Sequence, residues 1–276
     1  MIATLTQRRN QTPCDDFQGL SPEQVHRFIS FPFDSPNFVT FADAPEDSLT
    51  APIIRLFAML VEAIGERGLK PTATGNLPRN LMRASALAYW GEERYREETR
   101  YGEPRTEPEF FDLHITRLVA EMAGLIRKYK GKFILSRDCR TLHTKQGSAG
   151  VCLPLLRAFA TRFNWAYRGW HDDLPIIQQA FLYTVYLLQR FGEAWRETTF
   201  YEDAFLRAFP QALDELAPRS YGTPESIVRQ TYTQRALEHF AVFLGLAEMR
   251  PVGDPKERRG EIRALPLVHT AIRFTL

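Results

Sequence analysis

The stretch Gly124-Leu125-Ile126-Arg127-Lys128-Tyr129-Lys130-Gly131-Lys132-Phe133-Ile134-Leu135-Ser136 decides how this chain is read. A glycine that stops a helix is followed by two short strands whose apolar positions are Leu125, Phe133 and Leu135. Lys130-Gly131 makes the turn between them, since glycine accepts the positive φ that a two-residue hairpin loop requires. Five cations crowd this ribbon: Arg127, Lys128, Lys130, Lys132 and Arg137. The expectation is a basic hairpin with an apolar underside.

Working upstream, Phe111, Ile115, Leu118, Val119 and Met122 recur at helical spacing and predict a helix leading into Gly124. Its outward side is then Asp112, Thr116, Arg117, Ala120 and Glu121, two acids against one base, a poor surface for phosphates. Before it lies an insert, Gly91 to Pro108, with six glutamates among four arginines, read as solvated. Pro78 opens an earlier helix through Leu81, Ala84, Leu87 and Ala88, reached from the extended Leu69-Lys70-Pro71-Thr72 by a turn at Thr74-Gly75-Asn76. Pro52 starts the first helix of this module, with Ile53, Leu56, Phe57, Leu60, Val61 and Ile64 on one face and Gly65 or Gly68 as its stop.

Residues 1–48 are read as an amino-terminal arm. Ser21-Pro22-Glu23-Gln24 is a capping box with proline in the first turn, and the alternating aromatics and prolines from Phe31 to Phe38 cannot continue that helix. Charge is sorted along the chain: Asn10 to Leu49 hold seven acidic side chains against one arginine, whereas Glu121 to Lys145 hold seven basic against two acidic. The acidic arm therefore competes with a polyanion for the hairpin in the sharper reading, and is a soluble segment in the plainer one.

Residues 146–276 form the second half. Phe159, Phe163, Trp165, Tyr167 and Trp170 make an aromatic run read as core in preference to a stacking platform for single strands. Pro175 to Phe191 is apolar nearly all round and belongs at the centre of this half or in a subunit interface. Thr199-Phe200-Tyr201-Glu202 reads as a second capping box, with Pro210 as a kink in the helix that follows. Gly245-Leu246-Ala247-Glu248-Met249-Arg250 repeats the helix, Gly-Leu, strand junction at Gly124, and with Glu261 to Phe274 it predicts a second, wing-like hairpin.

With 276 residues, 44% hydrophobic and 25% charged, the chain has the balance of a folded protein long enough for two domains. Three scattered cysteines give no disulfide framework, the first residues have no apolar core of signal length, and the most apolar run is too short and too polar for a bilayer. The expected compartment is the cytoplasm, without a membrane partner.

Within a domain read at 49–145, residues Leu69 to Leu142, about a quarter of the chain, resemble the winged helix-turn-helix family of bacterial regulators: helix, short strand, helix, helix, Gly-Leu-Ile, basic hairpin, then a last short helix. Phrases such as Gly75-Asn76-Leu77-Pro78 and Phe163-Asn164-Trp165-Ala166-Tyr167 also resemble a family of bacterial proteins without an assigned activity. The winged-helix resemblance implies a mainly α fold with small β-hairpins, duplex DNA contact by the third helix, and a wing on the backbone. On that reading the nucleic-acid contacts are Arg127, Lys128, Lys130, Lys132 and Arg137 on the wing, with Arg79 and Arg83 on the second helix and Arg117 on the third; Arg79 and Arg83 have the insert's glutamates as rival partners.

Other candidate chemistry is thin. His171-Asp172-Asp173 reads as a turn and cap before Pro175, a metal there needing ligands from elsewhere. Cys139 and His143 stand four apart without an orienting third group, so an inert thiol is the simpler reading. The nucleotide-binding, zinc and nucleophile motifs are absent, which removes any specific reason to claim catalysis or a cofactor. The leading expectation is nucleic-acid binding, which the family resemblance would make regulatory; the alternative is a protein-interaction module, or homodimer, on the same scaffold.

Overall fold

The computed structural model describes residues 8–168, 173–216, 222–253 and 260–276. Along the chain run α1 (Pro22–Ser30), β1 (Val39–Phe41), α2 (Pro52–Ile64), α3 (Arg79–Glu98), α4 (Phe111–Met122), β2 (Ile126–Tyr129), β3 (Lys132–Leu135), α5 (Arg137–Gln146) and α6 (Cys152–Thr161). Then come α7 (Pro175–Gln179), α8 (Phe181–Phe191), β4 (Arg196–Glu197), α9 (Thr198–Ala208), α10 (Pro224–Tyr232), β5 (Ala247–Pro251), β6 (Gly260–Ala264), α11 (Pro266–Ala271) and β7 (Ile272–Phe274). The chain is thus mainly helical with small antiparallel strand pairs. It divides into two compact units, Asp43–Phe163 and Met1–Ala42 with Asn164–Leu276.

In the Asp43–Phe163 unit, Pro52 opens α2 and Gly65 closes it, and Ile53, Ile54, Leu56, Phe57, Leu60 and Ile64 are buried. The second helix is longer than expected. It runs on through the start of the charged insert, kinked at Gly91, whose φ of 78° breaks the helical path. Its buried side is Met82, Ser85 and Ala86 in place of the stripe through Leu81 and Ala84. Leu87 is exposed.

The larger correction concerns α4. Thr116, Arg117 and Ala120, expected on its outward side, are all interior. Helix α6 and the short turn Glu107–Glu109 pack on α4, as does α2. A helix enclosed from several directions carries no single apolar stripe for periodicity to find.

The hairpin is as expected, with Ile126 opposite Leu135 and Tyr129 opposite Lys132. Lys130 (φ 46°) and Gly131 (φ 73°) both take left-handed conformations, which a type I′ turn needs. Leu69 bridges to the free edge of β3, its N–H donating to the Phe133 carbonyl at 2.9 Å and its carbonyl accepting from the Phe133 N–H at 2.8 Å. Gly68 permits this approach, since a β-carbon there would stand 2.9 Å from the Phe133 oxygen.

The second unit uses the amino-terminal segment as part of its core, so that segment is more than a soluble arm. The Ser21/Gln24 capping box forms, Leu20, Val25 and Phe28 are buried, and β1 pairs with β7. All of Phe181 to Leu188 is buried, which places α8 at the centre of this unit. The apolar run is two helices, not one, because Ala180 (φ −84°, ψ 18°) interrupts it. The box expected at Thr199 does not form: the cap position is Glu197, two residues earlier, and Glu202 accepts from the Thr233 hydroxyl at 2.6 Å instead of capping. Pro210 ends α9 where a kink was expected. A box forms at Thr223/Ser226, opening α10, which continues into a π-helix over Thr233–Val242.

The Gly-Leu junction repeats in detail. The Leu125 N–H donates to the Ala120 carbonyl at 2.9 Å and the Leu246 N–H to the Ala241 carbonyl at 2.8 Å. Each leucine carbonyl then accepts from the residue after its hairpin, Ser136 or Leu265, at 2.9 Å. The strand order β4-β6-β5 matches the order Leu69-β3-β2 in the other unit.

Candidate nucleic-acid interface

Alternation along the strands puts Arg127, Tyr129 and Lys132 on the face opposite to Ile126, Phe133 and Leu135, which are buried. Lys128, opposite Phe133, shares the apolar face but is exposed, as are Arg127, Lys130, Lys132 and, at the start of α5, Arg137. Among the described residues none of these five cations makes an ion pair. Arg127 and Lys130 lie over the exposed Tyr129 ring at 5.8 and 5.4 Å, and Lys132 Nζ donates to the Arg67 carbonyl at 3.0 Å. These are weak tethers that leave the charge uncancelled.

Beneath the hairpin the charges are fully committed. Glu107 is 0% exposed and accepts three bonds: Arg117 Nε at 2.6 Å and His114 Nδ1 at 2.8 Å on Oε1, and the Leu77 N–H at 2.6 Å on Oε2. Arg117 also donates to Glu121 at 2.7 Å. Burial pushes the Glu107 carboxyl up, but the His114 bond, the Arg117 charge and the Leu77 amide outweigh it, leaving it below the ordinary carboxylate value. The Arg117 guanidinium lies 5.3 Å from the centre of the Phe133 ring, and Lys128 Nζ lies 5.1 Å from that same centre. Arg117 is therefore part of the support under the hairpin, not an outward cation.

The second helix splits its two arginines. Arg79 is exposed and makes no ion pair among the described residues; Arg83 is paired with Glu103 of the insert. Tyr95 also donates to Glu103, at 3.1 Å, and desolvation first, then that carboxylate, raise its phenol pKa. Arg67 and Lys70, on either side of Leu69, are exposed beside β3 and were not singled out from sequence. The signal was the pairing of Leu69 with β3, which local pattern does not reveal. Nor did the sequence distinguish Glu107 from the insert's other five glutamates.

Cys139 is buried, burial pushes its thiol to about 11, and no hydrogen bond joins it to His143 among the described residues. Cys152 is likewise pushed up to about 11 by burial. Among the described residues no three or more His, Cys, Asp or Glu are grouped as a metal site. His171, Asp172 and Trp170 lie outside the described residues. Phe159, Phe163 and Trp165 are buried, and Trp165 packs on Phe240 at 4.9 Å, so these rings are core; Tyr167 is exposed. No helix among the described residues is long and apolar enough to cross a membrane.

Residues 49–148 match the family model described as the Y4jL N-terminal domain. That match covers the whole α2-to-α5 region, hairpin included. No curated protein and no solved structure matches the chain.

Proposed function

We propose that this protein binds nucleic acid, duplex DNA in particular, by holding backbone phosphates on the basic hairpin of a winged helix. The scaffold reading rests on the order α2, Leu69, α3, α4, β2, β3, with the Leu69 segment on the β3 edge. The observation that carries the binding reading is the contrast of charge commitment: Arg117 and Arg83 are paired within the molecule, whereas the hairpin cations and Arg79 face solvent without carboxylates. The contact set is accordingly Arg79, Arg127, Lys128, Lys130, Lys132 and Arg137.

The enclosure of α4 shapes the kind of binding. A third helix whose middle residues are interior has few side chains to offer to base edges, so contact is to phosphates and independent of sequence. A salt titration with random duplex DNA tests this, comparing the native chain with Lys128→Ala/Lys130→Ala/Lys132→Ala. The slope of log K against log salt is expected to flatten by about 0.9 for each phosphate contact removed. An unchanged slope rejects the reading.

The same enclosure favours one second reading, a protein-interaction module in which DNA contact has been lost. Tyr101, 96% exposed on the insert, is the side chain a protein partner would cover. A chain that shows no salt-dependent DNA binding and loses a co-purifying partner on Tyr101→Ser would favour it.

A further inference from the structure

Phosphate contact gives no role to Tyr129, whose ring is 53% exposed at the end of β2. Its neighbours follow from the strand register. Tyr129 is opposite Lys132 and Arg127 is opposite Ile134, and all four share the hairpin face away from Phe133. Leu69 bridges Phe133 in the antiparallel sense, so Lys70 falls beside Lys132 and Gly68 beside Ile134 on that same face. Gly68 adds no side chain there, and a β-carbon would crowd Ile134 Cγ2 at 3.0 Å, so the surface beside Ile134 stays open. The result is an exposed ring and a half-buried isoleucine bordered by Arg127, Lys130, Lys132 and Lys70. All four cations are exposed and, among the described residues, none has a carboxylate partner. Arg127 and Lys130 lie over the ring at 5.8 and 5.4 Å, near the outer limit of such contacts, roughly 6 Å. A flat ligand can therefore take their place on the ring while its own phosphates retain them.

We propose, resting on the nucleic-acid reading above, that this face stacks an unpaired base on Tyr129 and holds the phosphates flanking that base with Arg127, Lys130, Lys132 and Lys70. A base inside a duplex already has a neighbour on each of its faces. Only a base in a single-stranded tail or gap offers a free face to the ring. Every base has such a face, so stacking needs no particular sequence. The hairpin thus favours a duplex that carries a single-stranded tail over a blunt one, and Tyr129 is the residue that tells them apart.

Fluorescence anisotropy of the full chain with three labelled DNA probes tests this: a blunt duplex, the same duplex with a thymidine tail, and the same duplex with an abasic tail of equal length. The two tails carry the same phosphates and differ in their bases. The thymidine tail is expected to bind about ten-fold tighter than the abasic one, which is about 1.4 kcal/mol and within the range for one base on an aromatic ring. Tyr129→Ser should remove that preference and Tyr129→Phe should keep it. The salt slope on the blunt duplex should be unchanged in both, since neither removes a charge. Should Tyr129→Ser fail to fold, the ratio of the two tails on the native chain decides the matter. Equal affinity for the two tails, or a Tyr129→Ser chain that still prefers thymidine, would overturn the proposal. Binding all three probes alike keeps the phosphate reading and ends this one, whereas binding none of them ends both.

Discussion

The two hairpins are built alike and neutralised differently. Each follows a Gly-Leu junction, pairs the edge of its second strand with a preceding segment, the Leu69 bridge in one and β4 in the other, and sets two cations against one aromatic ring. In the first, Phe133 lies near Arg117 and Lys128; in the second, the Trp195 ring lies near Arg250 at 4.3 Å and Arg263 at 5.0 Å. The difference lies in the carboxylates. Arg117 has its acids at and below the surface while Lys128 has none, whereas Arg250 pairs with Glu261 at 2.6 Å and Arg263 pairs with Glu248, across the strands. Shared geometry therefore does not imply a shared charge balance: among the described residues the cations of the first hairpin have no carboxylate partner, whereas Arg250 and Arg263 of the second are paired across the strands.

The strongest way to break this comparison is to remove the acid under the first hairpin. Glu107→Ala removes the buried carboxylate that Arg117 and His114 share and leaves Arg117 only its bond to Glu121, and a loss of about 3–5 kcal/mol is expected for such a broken pair. Chemical denaturation measures it; a loss below 1 kcal/mol would show that the hairpin's support lies elsewhere. Next in size, the Lys128/Lys130/Lys132 triple alanine variant should flatten the salt slope by about 2.7, at about 0.9 per contact. Conversely, Glu248→Gln/Glu261→Gln frees Arg250 and Arg263. It should steepen the slope by about 1.8 while costing under about 1 kcal/mol of stability, as exposed pairs contribute little. If freeing those arginines adds no DNA affinity, charge commitment is not what separates the two ribbons.

Acid provides a finer contrast between the two units. Burial first, and then the charge of Arg168, push His239 in the second unit down from 6.5 to about 3. A depressed folded value means the unfolded chain takes up protons first, so this contribution is present above pH 6.5 and is lost as pH falls toward 3. Glu107 in the first unit also has a lowered value, so its contribution is present above the ordinary carboxylate value of 4.5 and is lost only as pH falls below it. Hydrogen exchange followed against pH should show the second unit weakening first. His239→Phe should flatten its acid limb and Glu107→Gln that of the first unit; simultaneous loss in both units would contradict the assignment.

What could be read from sequence was local. Lys130-Gly131 specified a turn, Ser21 and Gln24 a helix start, Gly65 a helix stop, and Gly245-Leu246 a junction whose hydrogen bonds repeat those at Gly124-Leu125. Each of those signals acts over a few residues. The hidden features were pairings at a distance. Which of six glutamates would be buried, that Arg83 would meet Glu103, and that residues 39–41 would pair with 272–274 depend on how the chain returns on itself. The burial of Arg117 was hidden for a related reason: its helix is covered from more than one direction, and a charged residue in an irregular pattern looks like surface.

The three bonds that Glu107 accepts also fix where the charged insert ends. Its far root is tied to the start of α3 through Leu77 and to α4 through His114 and Arg117, while its near root is the bend at Gly91. The residues between those two anchors form a cassette on a closed frame. Shortening that segment with Glu107 kept is therefore expected to leave the helices that carry the hairpin in place, at the cost of the Arg83–Glu103 pair.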